Sequence, residues 1–282
     1  MLTVTKLLAT VVAAAVLPAV SPVSAVAGPA TRDAPLAQAD PVRVMPLGDS
    51  ITQGGSTGGY RLDLGAKLRA AGKAVDFVGS LADGPSSMPD RNHEGHPGWT
   101  IAQVDANVVN WLRTHTPRTV LLHIGTNDMY GSDPAGAPQR LSRLVDKITT
   151  QSPGAELFVA TIIPIRFADA TVRTFNTAVR AIVRDKAAAG RRVRLVEMYP
   201  AVPISDLPDG IHPNAAGYAK MAAVWHSALL SVPGGVGDQP QPRPGGACAA
   251  TARVTGSRGG GFQAEVTVTD TAAVSTAGCT GP

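Results

Sequence analysis

Four short blocks hold the residue types that acyl transfer requires. Gly48-Asp49-Ser50 follows an apolar run, and Gly95-His96-Pro97-Gly98-Trp99-Thr100 lies further on. Gly125-Thr126-Asn127-Asp128 follows a second apolar run, and Asp209-Gly210-Ile211-His212 stands before the last helical pattern. A serine hydroxyl is a weak nucleophile until a base is in reach. His212 could take its proton and later return it to a leaving group. Asp209, three residues earlier, could accept from the other ring nitrogen, fixing the tautomer and supporting the imidazolium. A backbone carbonyl is the alternative orienter. The tetrahedral oxyanion of such a reaction needs donors, and the backbone N–H of Ser50, the backbone N–H of Gly98 and the side-chain amide of Asn127 could supply three. One such donor is worth roughly 3–4 kcal/mol.

These blocks need elements to bring them together. Short, nearly all-apolar runs occur at Val42–Leu47, Val75–Val78, Val120–Ile124, Leu157–Ile163 and Val193–Val196. Such runs are the mark of strands buried on both faces of a parallel sheet. Between and after them lie helical patterns at Tyr60–Ala71, Ile101–Thr114, Pro138–Gln151, Ala170–Ala189 and Ala215–Leu230. This alternation predicts an α/β protein, a three-layer α/β/α sandwich with a five-stranded parallel sheet. In open sheets of this kind the site lies at the carboxyl ends of the strands, where the blocks fall.

Composition excludes several other classes. Of 282 residues, 44% are hydrophobic and 16% charged, which is neither disordered nor membrane-like. Eleven of the 12 aromatic residues lie between Tyr60 and Trp225, so the core is expected there. The net charge is +4, but Lys and Arg are scattered, so no nucleic-acid partner is expected. At the amino terminus, Lys6, the uncharged stretch Leu7–Val20 and the small-x-small site Ala25-Val26-Ala27 read as an export signal over residues 1–27. Residues 28–40 read as a flexible leader, and 41–232 as the catalytic domain. Residues 233–246, nine of which are Pro or Gly, read as a linker, and 247–282 as a small second unit. A secreted, extracellular protein follows, with no membrane partner once the signal is removed.

The four blocks, in this order, resemble the SGNH (GDSL-type) hydrolase superfamily over Val42 to about Leu230. The resemblance implies a flavodoxin-like sheet, Ser50 as nucleophile, His212 as base, Asp209 as its orienter, and Ser50, Gly98 and Asn127 as oxyanion hole. Gly95 competes with Gly98 for the second block, but Gly98-Trp99-Thr100 matches the Gly-x-Ser/Thr spacing better. His93-Glu94-Gly95-His96-Pro97-Gly98-Trp99-Thr100-Ile101 and Val75-Asp76-Phe77-Val78-Gly79-Ser80 are similar to carbohydrate esterase family 3, which removes acetyl groups from xylan. The partner implied is an acetylated polysaccharide or small ester, and no cofactor is implied. Within the superfamily a lipase or thioesterase is the rival; outside it, a non-catalytic carbohydrate-binding protein.

The tail from Ala247 resembles the opening of a family 2 cellulose-binding module, with Cys279 placed like the module's closing cysteine. The module's middle and its tryptophans are missing, so little or no cellulose binding is expected. The resemblance implies a Cys248–Cys279 disulfide, which chain entropy would value at roughly 3–4 kcal/mol. His93 and His96 flank Glu94 without the spacing of a zinc motif, so no metal is expected. His115, His123 and His226 read as ordinary helix and strand residues. Trp99 fits either a substrate-lining or a core position. Asp49 reads as a residue holding its turn, and Gly54-Gly55 with Gly58-Gly59 as a flexible loop.

Overall fold

The structure is a computed structural model. It describes residues 40–232, Val236, and, as backbone, 249–258 and 261–269. The expected export signal, the leader up to residue 39, nearly all of the linker, Cys248 and Cys279 lie outside the described residues.

A seven-stranded, mostly parallel sheet forms the centre. Its strands are β1 (Val42–Gly48), β2 (Val75–Phe77), β3 (Leu81–Ala82), β4 (Asn92–Gly95), β5 (Thr119–His123), β6 (Glu156–Ala160) and β7 (Val193–Val196). The helices are α1 (Ser50–Gln53), α2 (Gly59–Ala70), α3 (Ile101–His115), α4 (Ala137–Gln151), α5 (Asp169–Ala188) and α6 (Ala215–Leu230). The five long helices match the apolar periodicity to within a residue at every end.

The α/β class and layering are as expected, and the strand count differs for a geometric reason. Val44 pairs with Phe77 and Thr119, and Leu47 with Glu94 and Leu122. β2 and β4 therefore share one edge of β1, β2 along its start and β4 along its end. Together they fill one position, giving five parallel positions ordered β2/β4, β1, β5, β6, β7. β3 adds a short antiparallel rung on β4, Leu81 opposite His93. The fourth run was expected to extend to Ile163, but β6 stops at Ala160, and Thr161 N–H instead donates to Val196 O at 2.9 Å.

Strand period places alternate residues on opposite faces. Val120, Leu122, Leu157 and Val159 join one cluster with α3, α4 and α5. Leu121, Phe158 and Ala160 join a second with α2 and α6, around the fully buried Tyr60 and Trp225. Gly54–Gly59, expected to be a flexible loop, forms a short 3-10 turn over Gly55–Thr57 that leads into α2.

Arg61 of α2 is fully buried, an unusual place for a guanidinium. Its donors reach four backbone carbonyls: Thr52 O at 3.0 Å, Gln53 O and Arg91 O at 2.7 Å, and Asp83 O at 2.9 Å. Thr52 and Gln53 close α1, whose last carbonyls have no helical partner and favour a cation. One side chain thus fastens α1 to both ends of the β3–β4 hairpin region.

Separately, Ala249–Arg258 (β8) and Gly261–Thr269 (β9) pair antiparallel, with a register irregularity between Val254 and Gly256. The strand expected at Phe262–Thr269 falls within β9. A hairpin alone identifies no binding module. Among the described residues, no helix is long and apolar enough to cross a membrane.

Replacing Arg61 with Met keeps the stem and strips four carbonyls, that of Thr52 buried and the others partly so, of their donor. The expected cost is about 3 kcal/mol or more. Differential scanning calorimetry should show Tm lowered by roughly 6–12 °C, and a drop below about 2 °C would mean water replaces the guanidinium.

Candidate active site

Parallel pairing brings β1, β4 and β5 to a common carboxyl edge. Gly48, the last residue of β1, pairs with Gly95 on one side and His123 on the other. The packing there is tight: a Cβ on Gly48 would lie 2.2 Å from His123 O and 2.4 Å from Thr52 Oγ1. Only glycine fits. The residues following these three strands therefore start side by side.

Ser50 opens α1, with Asp49 as N-cap, its Oδ1 accepting from Ile51 N–H at 2.9 Å. The Ser50 Oγ lies 2.9 Å from His212 Nε2, across 162 residues of chain. His212 Nδ1 lies 2.7 Å from Asp209 Oδ2. The carboxylate requires the proton on Nδ1, which leaves Nε2 as the acceptor for the serine hydroxyl. Asp209 Oδ1 also accepts from the backbone N–H groups of Ile211 at 2.9 Å and His212 at 2.7 Å. The orienter within reach of His212 is thus Asp209 rather than a carbonyl. Partial burial acts to raise the Asp209 pKa, but the His212 backbone and ring bonds and the Ile211 N–H outweigh it and hold the carboxyl down at about 2. The pair stays open to solvent, the His212 side chain 42% and the Asp209 side chain 54% exposed.

The second block is bonded to the first and third. His96 N–H donates to Gly48 O at 3.0 Å, and Asn127 Nδ2 donates to Trp99 O at 2.8 Å. Gly98 has φ +77° with open space where a Cβ would stand, so conformation rather than crowding calls for glycine. Asn127 Oδ1 accepts from Tyr130 Oη at 2.5 Å. These two partners fix which end of the amide is oxygen, and one of the two Nδ2 hydrogens remains uncommitted. Asp128 Oδ2 accepts from Ile101 N–H at 2.9 Å, and its Oδ1 meets Arg140 at 3.0 Å, tying the third block to α3 and α4.

The remaining sequence candidates take supporting positions. Trp99 is partly buried; its ring stacks on His96 at 4.1 Å and lies 5.9 Å from Trp111. His96 also stacks on Trp111 at 4.8 Å. Fully buried Glu94 holds His96 Nε2 at 2.8 Å and accepts from Ser80 N–H and Oγ. His93 faces Asp83 at 3.1 Å while its Nδ1 accepts from Gly95 N–H; burial, then the Arg61 charge, lower its pKa to about 4. His93 and His96 thus hold separate carboxylates. His123 is buried with both ring nitrogens unpartnered, and burial lowers its pKa to about 4.

Sequence reasoning missed Tyr130 and Trp111, and weighed Glu94 only as part of a metal set that it set aside. Tyr130 carries the one local signal, standing three residues beyond Asn127 in the same turn. The Glu94 and Trp111 partners are set only by folding.

Asp49 contrasts with Asp209. It is fully buried, and its Oδ2 has no hydrogen-bonding partner. Burial pushes its pKa up to about 6, although the Ile51 N–H and the His212 charge pull it down. Thr126 Oγ1 is likewise buried and forms no hydrogen bond.

A family model for GDSL-like lipase/acylhydrolases matches residues 47–220. A multidomain esterase of Ruminococcus flavefaciens is 29% identical over 215 residues, covering 65% of this chain and 28% of its own length. A sequence described as a putative endoglucanase X of Acetivibrio thermocellus is 36% identical over 146 residues, covering 51% of this chain and 63% of its own. The chain therefore spans less than two thirds of either relative. A Clostridium thermocellum family 3 carbohydrate esterase structure is 39% identical, with a TM-score of 0.61 over 67% of this chain and 96% of that one.

Asp49 supplies a pH test. A carboxyl whose folded pKa is raised contributes stability fully present below its unfolded value of 3.8 and lost as pH rises through about 6. Asn at this position keeps a cap for Ile51 N–H and cannot ionise. Between pH 4 and pH 7.5, thermal melts of Asp49→Asn should lose less stability than the parent, by about 2 kcal/mol. Parallel pH profiles of the two proteins would count against a buried, titrating Asp49.

Proposed function

The chain belongs to the GDSL-like lipase/acylhydrolase family, and from there we propose that it is a secreted serine esterase that hydrolyses O-acetyl groups on xylan or a related plant polysaccharide. The observation carrying this reading is the continuous line Ser50 Oγ, His212 Nε2, His212 Nδ1, Asp209 Oδ2, with both contacts within 2.9 Å. His212 draws the hydroxyl proton as Ser50 attacks the acetyl carbonyl. The Ser50–C bond forms, and the tetrahedral oxyanion is met by the N–H groups of Ser50 and Gly98 and the free hydrogen of the Asn127 amide. His212 then delivers the proton to the alcohol oxygen, which leaves, and the acyl group stays on Ser50. Water, deprotonated by His212, attacks the acyl-enzyme and releases acetate. Asp209 remains ionised throughout, supporting the imidazolium.

The sugar substrate rests on the likeness to carbohydrate esterase family 3 and on the similarity to the Clostridium thermocellum esterase. Secretion rests on the export-signal pattern in residues 1–27. In this reading residues 41–232 carry the whole reaction, while 247–282 form a disulfide-closed relic of a cellulose-binding module that adds little.

Acetate release from acetylated xylan, run beside p-nitrophenyl esters of increasing acyl length, tests the reading. Ser50→Ala should lower kcat by roughly 10⁴- to 10⁶-fold. Asp209→Asn should lower it by up to roughly 10⁴-fold. Undiminished acetyl-ester hydrolysis by Ser50→Ala would refute the mechanism. Vigorous cleavage of long acyl esters with none of acetylated xylan would make the enzyme a lipase or thioesterase instead. Amino-terminal sequencing of the exported protein should begin at Gly28.

A further inference from the structure

Two aromatic rings stand exposed beside the site and are unused in the mechanism above. Tyr130 is 45% and Phe167 64% exposed, and they are the most exposed large hydrophobic side chains among the described residues. Their ring centroids lie 5.8 Å apart at 58°, so a face and an edge meet at a corner. Each ring is tied to a different part of the site. Tyr130 is held by its hydroxyl to Asn127 Oδ1, which keeps the phenol anchored while its ring stays in solvent. Phe167 follows Arg166, whose N–H donates to Gly210 O at 2.9 Å and whose Nη2 donates to Leu207 O at 2.8 Å. That pairing holds the residue next to Phe167 on the turn that carries Asp209 and His212.

The chemistry of the reaction selects what such a corner holds. His212 must protonate the oxygen of the departing alcohol, so the alcohol portion of an ester sits on the His212 side. The carbonyl oxygen faces Asn127 and the backbone donors. A surface reaching from the Asn127 flank to the His212 turn borders the alcohol as it leaves. Aromatic rings offer such a group a large, rigid apolar contact at low conformational cost.

We propose that Tyr130 and Phe167 form a subsite for the leaving alcohol, taking a ring-shaped alcohol such as a pyranose against the exposed corner they make. This rests on the serine-esterase reading and adds the residues that choose the alcohol. Phe167 determines specificity and takes no part in bond making. Tyr130 serves twice, as the wall of the subsite and as the group positioning the Asn127 amide.

The test compares Phe167→Ala and Phe167→Trp with the parent on cyclohexyl acetate, ethyl acetate, ethyl butyrate and an acetylated xylo-oligosaccharide. Phe167→Ala should lower kcat/KM for cyclohexyl acetate and the oligosaccharide by roughly 3- to 10-fold, mainly through KM, the scale of one lost aromatic contact. Ethyl acetate should change less than about 2-fold, and Phe167→Trp should restore the ring-alcohol substrates. Equal losses on all four esters, no loss on any, or a loss that tracks butyrate rather than the ring alcohol would overturn the subsite. The synthetic acetates keep the outcome separate from the substrate proposal. If the parent ignores the oligosaccharide but Phe167→Ala still discriminates against cyclohexyl acetate, the subsite stands and the polysaccharide falls.

Discussion

Parallel strand pairing imposes one constraint from which the site follows: neighbouring strands must end on the same edge. β1 lies between β4 and β5, and its last residue pairs across to both. The close contact of Gly48 with His123 O leaves no slack at that junction. The segments after β4 and β5 therefore leave the sheet one strand spacing, about 5 Å, to either side of the segment bearing Ser50. The bonds His96 N–H to Gly48 O and Asn127 to Trp99 O then join first block to second and second to third. The fourth block arrives just before α6, where Asp209 holds the ring of His212 by one bond and accepts from the backbone N–H groups of Ile211 and His212.

Two carboxylates in one site are driven in opposite directions by their surroundings. Asp209 is half exposed and accepts three hydrogen bonds, so its charge is favoured. Asp49 is sealed beneath the serine with one oxygen unpartnered, so its charge is opposed. The difference is hydrogen bonding to the charged form against desolvation of it. Near neutrality the more exposed acid is the one securely ionised.

Much of this was legible in the chain because the relevant signals are local. The buried strands are apolar runs and the helices repeat with helical period, so both follow from short windows of sequence. Asp209 and His212 are three residues apart, and their geometry is that of one turn. The partnership of Ser50 with His212 spans 162 residues; residue chemistry made it an option, and the resemblance to a known family assigned it. β4 was illegible for a different reason. Asn92-His93-Glu94-Gly95 has no apolar pattern, yet three of its residues are buried, with the His93 and Glu94 side chains satisfied by Asp83, Ser80 and His96. A strand stabilised by distant polar partners leaves no periodicity to read. Arg61 is hidden in the same way, since backbone carbonyls, which every residue carries, are its partners.

The Arg61 bonds also divide the cleft mechanically. Four carbonyls from α1 and the β3–β4 region converge on one buried cation, so α1, which bears Ser50, is fastened to that region by a fork of hydrogen bonds. The opposite wall is built otherwise. There the turn of Asn127–Tyr130 and the loop bearing Phe167 meet through the touch of two exposed rings. Contact between rings tolerates sliding, whereas a fork of hydrogen bonds does not. The Asn127–Tyr130 turn is itself held by Asp128 to Ile101 and Arg140, so any give between the two rings falls to the loop bearing Phe167.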